Sequence, residues 1–307
     1  MAEFAIPLPA RNCPLQATLI DKVLELVRPC VYITKVVQRG SFAVGTPDAN
    51  SDVDLCFTVD GPYDSAVRQV DRLLLEGLTI PFPAWLDSMV PDFGGTGLVY
   101  FCPIEDTFIE LDVYILASSH VDALPADRCR TLFERTILEG VIEETPNLPS
   151  PSLDSSHRVQ LVVGMLAIAY MLLKRFRRGD RLIFYADSFL LNSMIKDLLL
   201  ASAGAVRTEH GWYGLPNALS QTERGRVYLR FLEHIVEVAP AYSRASLHAV
   251  LRQLSEWLPD LVGDSGAVTI PTQAFLQYLL NRIDSDLAGA SARALPIPLT
   301  GPLPANH

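Results

Sequence analysis

Gly40 and Ser41 are followed, after ten residues, by Asp52-Val53-Asp54-Leu55, and a second acidic run, Phe108-Ile109-Glu110-Leu111-Asp112-Val113, comes some sixty residues later. On an extended strand, residues two apart share a face. Asp52 and Asp54 therefore project together while Val53 and Leu55 point into a core. Glu110 and Asp112 share a face in the same way, with Ile109, Leu111 and Val113 behind them. If the two strands are neighbours, three or four carboxylates converge on one side of a small sheet. Like charges that close repel and raise one another's pKa unless a cation sits among them, and hard Mg²⁺ prefers carboxylate oxygen. The Gly40-Ser41 turn adds backbone N–H groups at a helix start and a hydroxyl, features suited to cradling a triphosphate.

The elements that must position these residues are legible from periodicity. Residues 15–28 carry Leu15, Leu19, Val23, Leu26 and Val27 at helical spacing before Pro29. Strands are expected over 31–38, 52–59, 98–102 and 107–116, with a helix over 63–76. From about residue 155 the alternation ends and long helical periods take over, predicting helices near 156–178, 184–202, 222–238, 244–257 and 271–288. Pro259 is expected to end the fourth of these and Pro271 to sit in the first turn of the fifth. The resulting expectation is an α+β chain: a small mixed-sheet unit over 1–150, a Pro- and Ser-rich linker over 145–152, a helical unit over 151–289 and a mobile tail over 290–307.

The order Gly-Ser, a spacer near ten residues, an Asp-hydrophobic-Asp strand and a further carboxylate on a neighbouring strand resembles the motif of the DNA-polymerase-β-like nucleotidyltransferase superfamily. Ser51 before Asp52 resembles the Ser-Asp-x-Asp form of antibiotic-modifying members. The small α/β head with a helical C-terminal half looks like the aminoglycoside and streptomycin adenylyltransferases. The resemblance covers about the first 150 residues by motif and the rest only by architecture. It implies an adenylyltransferase that uses ATP as donor and two Mg²⁺ ions held by Asp52, Asp54 and Asp112. Gly40, Ser41 and Ser51 would then meet the nucleotide. It also implies that a basic residue of the helical half reaches the phosphates, for which Lys174, with Arg177 behind it, is the candidate. The alternative is that this basic cluster only complements the end of a buried helix. Glu110 stands open as general base, partner of a ligand or ordinary strand residue. Trp212 and Tyr213, in a Gly-flanked loop, are candidates either for lining an acceptor pocket or for packing. The implied acceptor is a small hydroxylated molecule, most plausibly aminoglycoside-like. The alternatives are a protein hydroxyl, as in toxin–antitoxin systems, and a catalytically silent nucleotide-binding module.

Composition narrows the partners. The chain of 307 residues has a net charge of −10 and is 49% hydrophobic and 20% charged, which fits an ordered globule and argues against neutralising a long phosphate backbone. Five cysteines without a CxxC pair read as free thiols in a reducing cytoplasm. The apolar run Leu161–Leu173 is shorter than a membrane span and reads as a buried helix. The N-terminus lacks the pattern of a secretory signal, and the histidines lack metal-ligand spacing.

Overall fold

A computed structural model describes residues 12–87, 95–119, 128–136, 149–204, 212–238, 242–263 and 266–291. The α+β expectation holds: a mixed six-stranded sheet occupies the N-terminal part and helices the C-terminal part. The chain runs α1 (Pro14–Val27), β1 (Ile33–Gln38), α2 (Gly40–Val44), β2 (Val53–Val59), α3 (Tyr63–Gly77), β3 (Trp85–Leu86), β4 (Thr96–Ile104), β5 (Thr107–Ala117) and β6 (Arg130–Glu134). Six helices follow: α4 (His157–Arg178), α5 (Arg181–Ser202), α6 (Leu215–Ser220), α7 (Glu223–Val238), α8 (Arg244–Val262) and α9 (Gly266–Ser291).

The strand order is β3-β4-β5-β2-β1-β6, with β2 and β5 parallel and every other neighbouring pair antiparallel. The alternation of residue types sorts the two faces. Val53, Leu55 and Phe57 of β2, Leu111, Val113 and Ile115 of β5, and Leu98 and Tyr100 of β4 join the apolar stripes of α1 and α3 in one core. The opposite face carries the acids. Beside them Val99 and Phe101 enter a second core with the helices, in which Val162, Leu166, Leu172, Leu191, Leu251 and Phe275 are buried. Helix α4 is long and apolar enough to cross a membrane by length and composition, yet most of it is buried at the centre of that core.

Two proline expectations are corrected. Helix α8 continues through Pro259 to Val262, and α9 begins at Gly266, so Pro271 lies inside it rather than in its first turn. Burial explains the override: Leu258, Leu261 and Val262 extend the apolar stripe of α8 beyond the proline, and packing outweighs a local propensity of about 3 kcal/mol. Beside Pro271 the Thr272 hydroxyl donates to the Val268 carbonyl at 2.7 Å. The short elements β3, β6 and α6 were not expected from periodicity, being too brief to display a period.

The expected linker falls partly outside the described residues, as does the tail beyond Ser291. Its described end is firmly held. Asp71, fully buried on the inner face of α3, accepts hydrogen bonds from the hydroxyls of Ser150 (2.5 Å), Ser152 (2.6 Å) and Tyr100 (3.0 Å) and from the Ser152 N–H (3.1 Å). Gln160 of α4 then exchanges hydrogen bonds with β3 and its approach, accepting from the Leu86 N–H and donating to the Ala84 carbonyl, each at 2.9 Å. The start of the helical part is thereby fixed to the sheet.

Candidate active site

Strand register brings the acids together. In the parallel β2–β5 pair Asp54 stands beside Asp112, and Asp52 and Glu110 each stand two residues earlier on the same face. Ligand oxygens of Asp52, Glu110 and Asp112 all lie within 4.8 Å of one another. Glu110 is therefore a full member of the cluster, a role that its sequence position left open. Its neighbour on β4 is Phe101 and that of Asp112 is Val99, so the cluster is walled on one side by apolar groups.

Gly40 closes the other side. Its φ of +62° lies in the left-handed region, and a Cβ there would stand 1.9 Å from Asp54 Oδ2. Only glycine allows the chain leaving β1 to pass this close to the carboxylate. The Arg39 N–H extends the β1–β2 ladder by donating to the Asp54 carbonyl at 2.9 Å. Ser41 follows on the first turn of α2, half-exposed beside the acids' strand.

Burial and mutual repulsion set the electrostatics. Asp54 is pushed up to about 6 by burial and then by Asp52. Glu110 reaches about 7 through burial and Asp52, with Lys174 opposing. Asp112 is held well above the carboxylate range by burial and by Glu110, Asp52 and Asp54 together. Among the described residues, Glu110 Oε1 and Asp112 Oδ1 are buried without a hydrogen-bond partner. Buried polar atoms normally find one, so these two oxygens point to a missing cation or proton. The donor set, all carboxylate oxygen, fits a hard divalent ion such as Mg²⁺.

The basic end of α4 meets the cluster from the helical side. The Lys174 ammonium, only 5% exposed, pairs with Asp52 Oδ1 and Glu110 Oε2. Burial alone would depress this lysine, but Glu110 and Asp52 outweigh it and hold the ammonium charged. Arg177 binds both oxygens of Asp286 on α9, at 3.1 Å each. Arg178 binds both oxygens of Asp48, at 3.1 and 2.8 Å. The Asp48–Ser51 loop is thus clamped just ahead of Asp52, a contact that sequence reading missed because neither partner lies in a motif.

Ser51 is buried, and its hydroxyl is engaged within that loop: it accepts from the Asp48 N–H at 2.9 Å and donates to Asp48 Oδ1 at 3.1 Å. Trp212 lies against Lys196 of α5, its ring 5.4 Å from the ammonium, and Tyr213 is 93% exposed. The structure assembles Gly40, Asp52, Asp54, Glu110, Asp112 and Lys174, whereas the contact described for Trp212 is with Lys196.

A cavity of about 380 Å³ opens beside Lys174, between the start of α1, residues 49–51, the start of β5, α4 and α9. Among the described residues its wall includes Phe108, Tyr170 and Tyr278 and three cationic side chains (Lys174, Arg177 and Arg282), and no carboxylate.

No protein-family model matches the chain, and no curated protein matches it. Among solved structures, the spectinomycin adenyltransferase AAD(9) from Enterococcus faecialis, determined with ATP and spectinomycin, is similar at 11% identity. That alignment covers 89% of this chain and 100% of the other, with a TM-score of 0.26. CdnC from E. coli MS115-1, determined in complex with HORMA-deltaN, is similar at 12% identity over 91% of this chain and 93% of the other, again with a TM-score of 0.26. At these TM-scores the functional reading rests on the residues themselves.

Proposed function

We propose that this chain is a Mg²⁺-dependent nucleotidyltransferase that moves a nucleoside monophosphate, AMP from ATP, onto a hydroxyl of a small molecule. The observation that carries the reading is the convergence of Asp52, Asp54, Glu110 and Asp112 on adjacent parallel strands, with Gly40 packed against Asp54. Asp52, Asp54 and Asp112 would hold two Mg²⁺ ions, with Glu110, whose ligand oxygen lies within 4.8 Å of those of Asp52 and Asp112, in reach of the same ions; the ions would supply positive charge for the triphosphate and lower the pKa of the attacking hydroxyl.

The remaining chemistry belongs to the chain. The acceptor oxygen attacks the α-phosphorus, the bond to the bridging oxygen breaks, and pyrophosphate leaves. The hydroxyl proton passes to a carboxylate, for which the unpartnered oxygens of Glu110 and Asp112 are the candidates. Gly40 and Ser41 offer backbone and hydroxyl donors to the triphosphate. Lys174, on release from its carboxylates, offers a charge to the same phosphates.

The cavity beside Lys174, with Phe108, Tyr170 and Tyr278 in its wall, supports a small hydroxylated acceptor, an aminoglycoside-like compound included. The net charge of −10 supports a small acceptor over a nucleic acid, and five cysteines that form no disulfide among the described residues support a cytoplasmic setting.

The reading is tested by pyrophosphate release from each of the four nucleoside triphosphates with Mg²⁺, against a panel of aminoglycosides, lincosamides and other hydroxylated compounds. Acceptor-dependent release that disappears in Asp54→Asn supports it. ATP binding without release across the panel shifts the reading to a protein acceptor or a silent nucleotide-binding module. No binding of any nucleotide overturns it.

A further inference from the structure

The position of Lys174 carries a consequence beyond phosphate contact. Its ammonium is buried and paired with Asp52 Oδ1 and Glu110 Oε2. Those two carboxylates are also two of the three whose oxygens lie within 4.8 Å of one another. A cation-sized position among the acids is therefore flanked by a cation supplied by the protein. The lysine is held in place from below: the Tyr170 ring lies 5.3 Å from the ammonium, and the Tyr170 hydroxyl donates to the Phe108 carbonyl at 3.0 Å. One ammonium cannot neutralise four carboxylates. The unpartnered Glu110 Oε1 and Asp112 Oδ1 mark the part of the cluster that it leaves unsatisfied.

From this we infer that Lys174 is a built-in counter-cation that competes with the divalent ion for Asp52 and Glu110. The inference rests on the reading of the acids as a divalent-cation site. Without nucleotide, the ammonium holds the acids together and keeps divalent affinity low. A divalent ion gains those oxygens only as the ammonium gives them up, and a triphosphate entering the site offers Lys174 an alternative partner. Because Lys174 belongs to α4 and the acids to the sheet, the exchange also loosens one of the charged contacts that join the two parts of the chain. Metal and nucleotide then enter as a linked pair, since each removes an obstacle to the other.

The chain has only four lysines, Lys22, Lys35, Lys174 and Lys196, so protein labelled with ¹³C and ¹⁵N at lysine gives four side-chain signals. Those of Lys22, Lys35 and Lys196 are assigned by single replacement with Arg, which leaves Lys174 identified without altering it. Titration with Mg²⁺ in the absence of nucleotide is expected to move the Lys174 signal and leave the other three in place. In parallel, Mn²⁺ binding to nucleotide-free protein, followed by electron paramagnetic resonance, is expected to tighten roughly tenfold or more in Lys174→Met, the scale of removing one close charge competitor. An unmoved Lys174 signal at saturating Mg²⁺ overturns the inference, as does equal Mn²⁺ affinity in Lys174→Met. Absence of Mn²⁺ binding in both proteins overturns the divalent-site reading itself, and this inference with it.

Discussion

Among the individual residues, Asp54 and Gly40 form a closely fitted pair. Asp54 lies half-buried against Gly40, and its pKa stands at about 6 against an ordinary value of 3.8. A carboxyl group raised on folding contributes its full stability below the unfolded value and loses it as pH climbs through the folded one. The metal-free protein should therefore weaken between about pH 4 and 6 through Asp54, and up to about 7 through Glu110. Asp54→Asn removes the charge at nearly constant shape. It is expected to raise the melting temperature at pH 8 by an amount equivalent to about 1–3 kcal/mol, and to lose that advantage near pH 4. Melting curves in chelator at the two pH values read this directly, and an equal shift at both would contradict the burial argument. The same substitution, and Asp52→Asn, should lower turnover by roughly two to three orders of magnitude, the usual scale for a group that stabilises developing charge. Circular dichroism should remain unchanged. Gly40→Ala asks the opposite question: its added Cβ meets Asp54 Oδ2 and sits at a positive φ. Activity should fall with a stability loss of about 1–3 kcal/mol, measured by denaturant titration.

Secondary-structure elements explain which parts of this arrangement could be read in advance. The long elements were legible because period 2 and period 3.6 are written in the residues: Asp52, Asp54, Glu110 and Asp112 alternate with buried Val53, Leu55, Leu111 and Val113. Lys174 was legible as a basic residue near the end of α4. Its pairing with Glu110 was not, because that contact spans 64 positions and depends on where α4 crosses the sheet. The continuation of α8 past Pro259 was misjudged because burial of Leu258, Leu261 and Val262 overrides a local signal, while the residues of α9 ahead of Pro271 carry no apolar period that would have announced an earlier start. The Asp71 lock was hidden for a related reason: a lone Asp within an amphipathic helix reads as solvated, yet this one lies on the buried face of α3 and receives Ser150, Ser152 and Tyr100. Asp71→Ala would strand three buried hydroxyls. It is expected to cost about 3–5 kcal/mol, as removing one member of a buried charged network does. Chemical denaturation against a Ser150→Ala control, which removes a single donor, separates the network from ordinary packing.

In the whole molecule, sheet and helices share a core, so they should unfold together. Phe275 of α9 is fully buried among Phe82, Phe101 and Phe108 from the sheet region and Tyr170 from α4, with ring centroids 5.6, 4.6, 4.8 and 6.1 Å away. The Asp71 lock, the Lys174 pairs and the Arg178–Asp48 clamp cross the same boundary. Two halves joined only by a flexible linker would melt separately, whereas a continuous aromatic core makes each half's folding depend on the other. Calorimetry is therefore expected to show one transition whose van't Hoff and calorimetric enthalpies agree. Phe275→Ala should lower stability by about 3–5 kcal/mol. It should do so for the sheet and the helices alike, as followed by amide exchange at β5 and at α8. If only the α8 amides lost protection, the cores would be independent, and the acids would owe their positions to the sheet alone. If both lose it together, the helices help to hold the site, and Lys174 reaches the carboxylates because the whole fold places it there.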